Sequence, residues 1–287
     1  MLLVRRARNT TASLCSARFV NAIRPRIIFE ASRSGSWLVF HEFSAGACNP
    51  CFSGYHEGPR CALRRYDVKI AIIGAGNIGG TLTRRFREIG HHVFVANSRG
   101  PETLSELAAQ TGATPVTAEQ AARDGEVVIV TIPERNISEL PTDLFAGVSN
   151  NVVVIDTGNY YPRQRDGRID AIEAGMPDSV WVATQIGRPV IKAFNDIYAE
   201  HLGTLDKPKG TAGRIALPVA GDDASAKAIV MRLVDELGFD PVDAGTLGES
   251  WRQQPGTPVY GQDFNAQGVR DALARAPKER PPEFSAS

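Results

Sequence analysis

From residue 68 onward, short uninterrupted apolar runs alternate with apolar stripes at helical spacing. The first run, residues 68–73, predicts a buried strand. The helix predicted after it carries one apolar face: Ile78, Leu82, Phe86 and Ile89. Gly90 ends that helix, and residues 92–96 form a second apolar run. The pattern predicts a strand-helix-strand unit with a right-handed crossover between parallel strands.

The same alternation continues toward the C-terminus. Further helices are predicted over residues 102–110, from the capping box at Thr117–Gln120, and after Asp222 or Asp223, the last one ended by Gly238. Further strands are predicted near Thr114 and over residues 127–132, 152–156, 189–194, 214–219 and 239–242. Apolar strands separated by helices predict an α/β fold with a doubly wound, mostly parallel Rossmann sheet and a short C-terminal extension. Residues 67–276 form this extended Rossmann domain, and residues 277–287, which are charged and rich in proline, are predicted to be a flexible tail.

Residues 1–66 differ in amino-acid composition from the rest of the chain. They contain ten arginines, no lysine, three acids and all four cysteines, with a net charge of +7 against −7 for the remainder. A transit peptide has a similar composition, but the Gly, Pro and Cys of residues 43–61 oppose an amphipathic helix. We therefore interpret this segment as an atypical extension, either disordered or the product of a mis-called start. Cys48 and Cys51 form a CxxC, but the local context of a zinc or thiol-exchange site is missing, so no metal is predicted.

The composition of the whole chain excludes several classes of function. The 32 basic and 32 acidic side chains balance, without the positive excess of a nucleic-acid binder. No apolar run reaches the 18 or so residues of a membrane span, and no secretory signal is recognisable. These observations predict a cytoplasmic protein without nucleic-acid or membrane partners.

A glycine turn between the first strand and its helix indicates the ligand class. Gly74, Gly76 and Gly79 form GxGxxG in this position. The first glycine permits a tight turn, the second allows a pyrophosphate to approach the backbone, and the third allows close packing of helix and strand. The free amides at the helix N-terminus favour bound phosphates. A dinucleotide site is therefore predicted.

The end of the second strand indicates which dinucleotide binds. An NAD site places a carboxylate there to bind the ribose hydroxyls. This chain has Asn97, Ser98 and Arg99 instead, and a guanidinium binds a phosphate bidentately. NADP is therefore the preferred cofactor, with a solvated turn residue as the alternative role of Arg99.

Five segments together resemble the deazaflavin-dependent NADP oxidoreductases, which transfer hydride between NADP and coenzyme F-420. They are GAGNIGGTL, ANSRGP, VIVTIP, KAFN and LPVAGDD, and the resemblance covers residues 68–247. The cytosolic domain of transmembrane ferric reductases is similar too. The resemblance implies an extended Rossmann domain, often a homodimer, in which a second redox carrier stacks over the nicotinamide. It places Asn77 and Ile78 in the phosphate loop, Ser98 and Arg99 on the 2′-phosphate, Thr131, Ile132 and Pro133 beside the cofactor, and Ala193, Phe194 and Asn195 near the nicotinamide.

Residues 131–133 and 193–195 lie at the carboxyl ends of predicted strands. Ligands of open α/β sheets bind outside these strand ends, so the positions agree with a role in binding. Structural alternatives remain open: Pro133 ends a strand, Asn159 makes a turn, and Lys192 is buried beside a carboxylate. Direct hydride transfer needs no general base, so Phe194 and Asn195 are assigned to orientation only and the catalytic residues stay unknown. The histidines form no recognisable catalytic group in the sequence. Those at 91 and 92 are predicted on the surface, and His201 is the one worth testing.

Residues 248–264 contain flat aromatic faces and polar donors, including Trp251, Arg252 and Tyr260. This segment is interpreted either as a lid over the second substrate or as part of a dimer interface. The function that we expect is an NADPH-dependent oxidoreductase acting on a small-molecule redox coenzyme, a deazaflavin or a flavin. The alternatives are reduction of a quinone or small carbonyl, and a non-catalytic module that senses the NADP redox state.

Overall fold

The computed structural model describes residues 67–286, which lie within one compact unit of the chain. The predictions for residues 1–66, including the CxxC of Cys48 and Cys51, lie outside the described residues. Among the residues described, no helix combines the length and the apolar character that crossing a membrane requires.

A six-stranded parallel sheet forms the centre of the domain, with strand order β3-β2-β1-β4-β5-β6. Its strands are β1 (Lys69–Ile73), β2 (His92–Ala96), β3 (Thr114–Pro115), β4 (Val127–Val130), β5 (Val153–Asp156) and β6 (Ile191–Lys192). The order reverses between β1 and β4, which are adjacent in the sheet although two strands separate them in sequence. The predicted doubly wound fold is confirmed.

Helices alternate with the strands of this sheet, and three more come after β6 in the sequence. They are α1 (Asn77–Glu88), α2 (Ser105–Thr111), α3 (Ala118–Asp124), α4 (Glu134–Ile137), α5 (Asp170–Glu173), α6 (Asp178–Ile186), α7 (Ala199–Thr204), α8 (Ala224–Glu236) and α9 (Ala266–Ala274). Successive strand residues point to opposite faces, and both faces are buried. In β4, Val127 and Ile129 join the core that includes Leu82 and Phe86, while Val128 and Val130 join the core on the other face. Burial on both faces explains why the strands read as continuous apolar runs.

Two predicted strands form a separate sheet. The strands β7 (Ala216–Val219) and β8 (Asp240–Asp243) pair in parallel with each other, and α9 packs against them. A single antiparallel bridge between Lys192 and Ala220 connects this pair to the end of β6. Strands predicted over residues 214–219 and 239–242 are therefore present as β7 and β8, and they form a two-stranded sheet of their own.

Other elements differ from their predictions in extent. The helix expected over residues 102–110 starts as a 3-10 turn, Pro101–Leu104, before α2 begins. The capping box of Thr117 and Gln120 is present, and Asp223 rather than Asp222 caps α8. The strand expected over residues 189–194 is shorter because the chain turns at Phe194, whose φ of 62° lies in the left-handed region.

The predicted flexible tail packs against the domain within the described residues. Arg280 forms an ion pair with Asp178, at 2.6 Å, and Pro282–Phe284 forms a 3-10 turn. The Arg163 guanidinium donates to the carbonyl of Ser285. An ion pair and a hydrogen bond therefore connect this segment to the domain, and its mobility stays a prediction.

Candidate functional site

Two clefts meet at the carboxyl edge of the main sheet, where the strand order reverses. The cleft that we call the outer cleft has a volume of about 610 Å³ and extends toward the end of β2. The inner cleft, of about 450 Å³, extends toward the ends of β5 and β6. Both clefts are lined by Gly76 and by residues 131–133. This is the switch point at which open α/β sheets bind ligands.

The glycine turn has the geometry that a pyrophosphate loop requires. A methyl group on Gly74 would lie 2.4 Å from the carbonyl oxygen of Thr131, and one on Gly79 would lie 1.8 Å from the carbonyl oxygen of Gly74. These two glycines permit close packing. A methyl group on Gly76 would meet no atom within 4 Å, so this position faces open space. Gly76 also precedes α1 without a side-chain cap, which leaves the first amides of a twelve-residue helix for an anion.

The turn after β2 is held in place by Asn97. Its Oδ1 accepts from the Arg99 amide at 3.0 Å, and its Nδ2 donates to Thr103 at 2.9 Å. Ser98 and Arg99 are exposed and line the outer cleft. Arg99 also borders, with Arg84 of α1, an adjoining pocket of about 560 Å³. Two charged residues near Arg99 were not predicted from the sequence. Arg84 borders the adjoining pocket, and Glu119 of α3 lines the outer cleft.

The inner cleft brings together residues predicted in the phosphate loop, beside the cofactor and near the nicotinamide. It is lined by Asn77, Ile78, Thr131, Ile132, Pro133, Phe194 and Asn195. Ala193, also predicted near the nicotinamide, does not line the cleft, and its side chain is buried in the core. The left-handed backbone of Phe194 costs on the order of 1–3 kcal/mol for a bulky side chain, and such strain is concentrated at functional sites.

Asn195 is held by three polar groups of the protein. Its Nδ2 donates to Asn159 Oδ1 at 3.1 Å and to the Gln253 carbonyl at 2.6 Å. Its Oδ1 accepts from Gln253 Nε2 at 2.9 Å. The side chain therefore fixes the wall of the inner cleft and has no free amide hydrogen for a ligand. Asn159, left open as a turn residue, is part of the same network.

Three tyrosines from distant segments also line the inner cleft. The hydroxyls of Tyr161 and Tyr260 hydrogen-bond to each other, and Tyr198 is 58% exposed at the mouth. The Arg165 guanidinium lies 5.2 Å from the centre of the Tyr161 ring. Sequence reasoning singled out only Tyr260, as part of the segment 248–264. The other two carried no recognisable motif.

Most of segment 248–264 packs on the domain. A 3-10 turn, Leu247–Gln253, begins it, and Arg252 bonds to Glu249 and to the Ala244 carbonyl. Trp251 does not line either cleft, while Tyr260 lines the inner one. Of the predicted ligand contacts, only Tyr260 is therefore available to a molecule in the inner cleft. The choice between a lid and a dimer interface stays a prediction.

The histidine assignments need one correction. His91, expected on the surface, is buried, with Nδ1 accepting from the Val68 amide and Nε2 at 3.0 Å from Glu236. Its position between β1 and the end of α8 explains the burial. His92 is exposed as predicted. His201 pairs with Asp263 at 2.8 Å and does not line either cleft.

A buried ion pair lies behind the inner cleft. Lys192 Nζ donates to Asp156 Oδ2 at 3.0 Å and also to the carbonyl of Gly158. Both side chains are buried, as the structural alternative for Lys192 predicted. Burial would lower the pKa of Lys192, but the negative charges of Asp156, its ion-pair partner, and of Asp178 oppose this effect, and the pKa is raised.

Two further buried acids stand beside this pair. Burial raises the pKa of Asp196 to about 8, and its Oδ1 has no hydrogen-bond partner among the described residues. Burial also raises the pKa of Glu134 well above its usual range, with a further contribution from the charge of Asp156. Sequence reasoning missed both acids, because each looks like an ordinary charged residue after a strand.

The fold is that of Rossmann oxidoreductases, and comparison with known proteins places the chain among the NADP-dependent ones. Residues 69–160 match the model of the family "NADP oxidoreductase coenzyme F420-dependent". Protein SMa0349 of Sinorhizobium meliloti is 31% identical, with a TM-score of 0.59, over 69% of this chain and 95% of that one. The chain belongs to this oxidoreductase family.

Other relatives are more distant or match only in part. A protein of Arthrobacter sp. FB24, described as an F-420-dependent NADP reductase, shares the fold at 21% identity and a TM-score of 0.51, over 63% of this chain and 86% of that one. YjhV of Escherichia coli K12 is 48% identical over 71 residues, 25% of this chain and 52% of YjhV. The mouse metalloreductase STEAP2 is 28% identical over 194 residues, 64% of this chain and 35% of STEAP2.

The glycine geometry predicts opposite outcomes for two matched substitutions. Gly79→Ala places a methyl group against the Gly74 carbonyl, so we expect a clear loss of thermal stability. Gly76→Ala meets no protein atom, so we expect an unchanged melting temperature but at least tenfold weaker NADPH binding. Melting curves and fluorescence titrations of both variants measure this. Unchanged NADPH affinity in Gly76→Ala would contradict the assignment of the loop.

The raised pKa of Asp196 predicts a pH-dependent stability. Between about pH 4 and pH 8 the folded protein keeps a proton on Asp196 that the unfolded chain loses, so this group's contribution to stability falls as pH rises. Asp196→Asn removes that dependence. Relative to the unchanged protein, the variant should gain up to ~1.4 kcal/mol in unfolding free energy per pH unit across this window. Urea denaturation at pH 5, 6, 7 and 8 measures the difference, and a constant difference would contradict the burial argument.

Proposed function

We propose that this protein transfers hydride between NADP(H) and a second, planar redox carrier, a deazaflavin such as coenzyme F-420 or a flavin. One observation carries the proposal: two clefts share Gly76 and residues 131–133 at the switch point of the sheet. A dinucleotide laid across the shared residues fits with its adenosine in the outer cleft and its nicotinamide in the inner cleft.

Residues along the two clefts suit the pyrophosphate and the 2′-phosphate of NADP(H). The open side of Gly76 and the uncapped N-terminus of α1 suit the pyrophosphate. The exposed guanidinium of Arg99, on a turn fixed by Asn97, suits the 2′-phosphate. When bound, NADPH supplies the hydride, and the protein contributes binding, orientation and exclusion of water.

The aromatic lining of the inner cleft supports a flat second substrate. The rings of Tyr161, Tyr198 and Tyr260 bound it, and aromatic side chains offer apolar faces and hydroxyl donors to a conjugated ring. The hydrogen bonds of Asn195 with Asn159 and Gln253 fix a polar part of the cleft wall. A fixed wall helps hold two ring systems at hydride-transfer distance.

An acceptor screen tests the proposed reaction. NADPH oxidation by the purified full chain is followed at 340 nm with F-420, FMN, FAD, quinones and small aldehydes in parallel. We expect turnover with F-420 or a flavin. Turnover restricted to quinones or aldehydes would contradict the choice of carrier, and tight NADPH binding without any turnover would favour a redox-sensing module instead.

Arg99→Ala tests the choice of dinucleotide. A charged hydrogen bond to phosphate contributes about 1.5–3 kcal/mol, so we expect at least a tenfold loss of NADPH affinity and little change for NADH. Arg123→Ala is a matched control, because Arg123 is exposed and lines neither cleft. Equal losses for NADPH and NADH in Arg99→Ala, measured by titration, would overturn the assignment of the 2′-phosphate.

A further inference from the structure

Glu134 is a fully buried acid directly behind the inner cleft. It follows Pro133, which lines the cleft, and its Oε1 lies 2.5 Å from the point that a methyl group on Gly158 would occupy. Gly158 itself lines the cleft. The missing side chain of Gly158 therefore lets the Glu134 carboxyl approach the end of the cleft that we assign to the nicotinamide.

The acids around Glu134 each have a basic partner. On β5, Asp156 pairs with Lys192 of β6 at 3.0 Å. Asp166, in the turn after β5, pairs with Arg165 at 2.9 Å. Asp178 at the start of α6 pairs with Arg280 at 2.6 Å. Lys192, Arg165 and Arg280 are thus each paired with another carboxylate, and the guanidinium of the adjacent Arg135 donates to the Arg165 carbonyl and to Asn136 instead.

Glu134 also lacks the hydrogen bonds that the neighbouring acids make. The three neighbouring acids also accept from backbone amides: Gly158 to Asp156, Tyr161 to Asp166 and Tyr160 to Asp178. Neither carboxyl oxygen of Glu134 has a partner among the described residues. A buried carboxylate without a partner is costly, and the neutral acid relieves most of that cost.

We propose that the Glu134 carboxyl holds a proton beside the neutral reduced nicotinamide and releases it when the positively charged oxidised ring binds. The inference rests on the proposed function, since it requires NADP(H) in the inner cleft. In a buried setting, a positive charge near Gly158 favours the ionised carboxyl far more than it would in water. Glu134 thereby makes the affinity for NADP⁺, and so the balance between the two redox forms, dependent on pH.

Binding measurements on the full chain test this without a second substrate. Calorimetry in buffers of different ionisation enthalpy gives the protons released on binding NADP⁺ or NADPH between pH 6.5 and 8.5. Both nucleotides carry the same 2′-phosphate, so its titration cancels in the difference. We expect NADP⁺ to release up to one proton more than NADPH, and the ratio of their dissociation constants, NADP⁺ over NADPH, to fall by up to about tenfold per pH unit.

Glu134→Gln keeps the shape of the neutral acid and should abolish both effects. The matched control Glu279→Gln, at an exposed position, should retain them. The comparison of the two nucleotides on the unchanged protein does not depend on the folding of any variant. Equal proton release by the two nucleotides there, or an undiminished difference in Glu134→Gln, would overturn the inference while leaving the proposed function standing.

Asp196 is the rival source of the proton, because it is also buried near the inner cleft. Asp196→Asn separates the two acids. Retention of the proton difference in this variant supports Glu134, and its loss there with retention in Glu134→Gln would overturn the assignment. Failure of both nucleotides to bind the unchanged protein would overturn the proposed function, and the inference with it.

Discussion

The contact between Lys192 and Asp156 joins the parts of this domain that the site requires. The Lys192 ammonium group links β6 to β5 and also bonds to the carbonyl of Gly158, while the Lys192 backbone pairs with Ala220, which directly follows β7. One buried residue therefore aligns the last two strands of the main sheet, the loop behind the inner cleft and the neighbouring sheet. A buried ion pair gives little net stability over an apolar pair, so its value here is positional.

Much of the fold could be predicted because its causes are local. The strand ends of β2 match the prediction, the glycine turn lies before α1, and the capping box of Thr117 starts α3. In each case adjacent residues specify the conformation through periodicity, a missing side chain or a cap. The second sheet could not be foreseen, because nothing local in residues 214–219 distinguishes a partner in β8 from one in β6.

The site also contains residues that could be predicted from local sequence and residues that could not. The glycines, Arg99 and residues 131–133 follow strands directly, and their roles can be inferred from that position alone. Tyr161 and Tyr260 meet across 99 residues of sequence, and Asn195 and Gln253 across 58. Such pairs depend on how the segment after β8 folds back over the sheet. Glu134 looks like an ordinary charged residue after a strand, and only the fold shows that its carboxyl is buried beside Gly158.

The ion pair between Arg280 and Asp178 ties the last residues of the chain to the same group of acids. A shortened protein that ends at residue 276 would leave Asp178 without its base, beside a carboxyl that already lacks one. The C-terminal segment thus acts as a counter-charge for the interior. Trimming this segment to simplify the protein would change the electrostatic environment of the inner cleft and would also remove Phe284 from its contact with the ring of Tyr161, which lines that cleft.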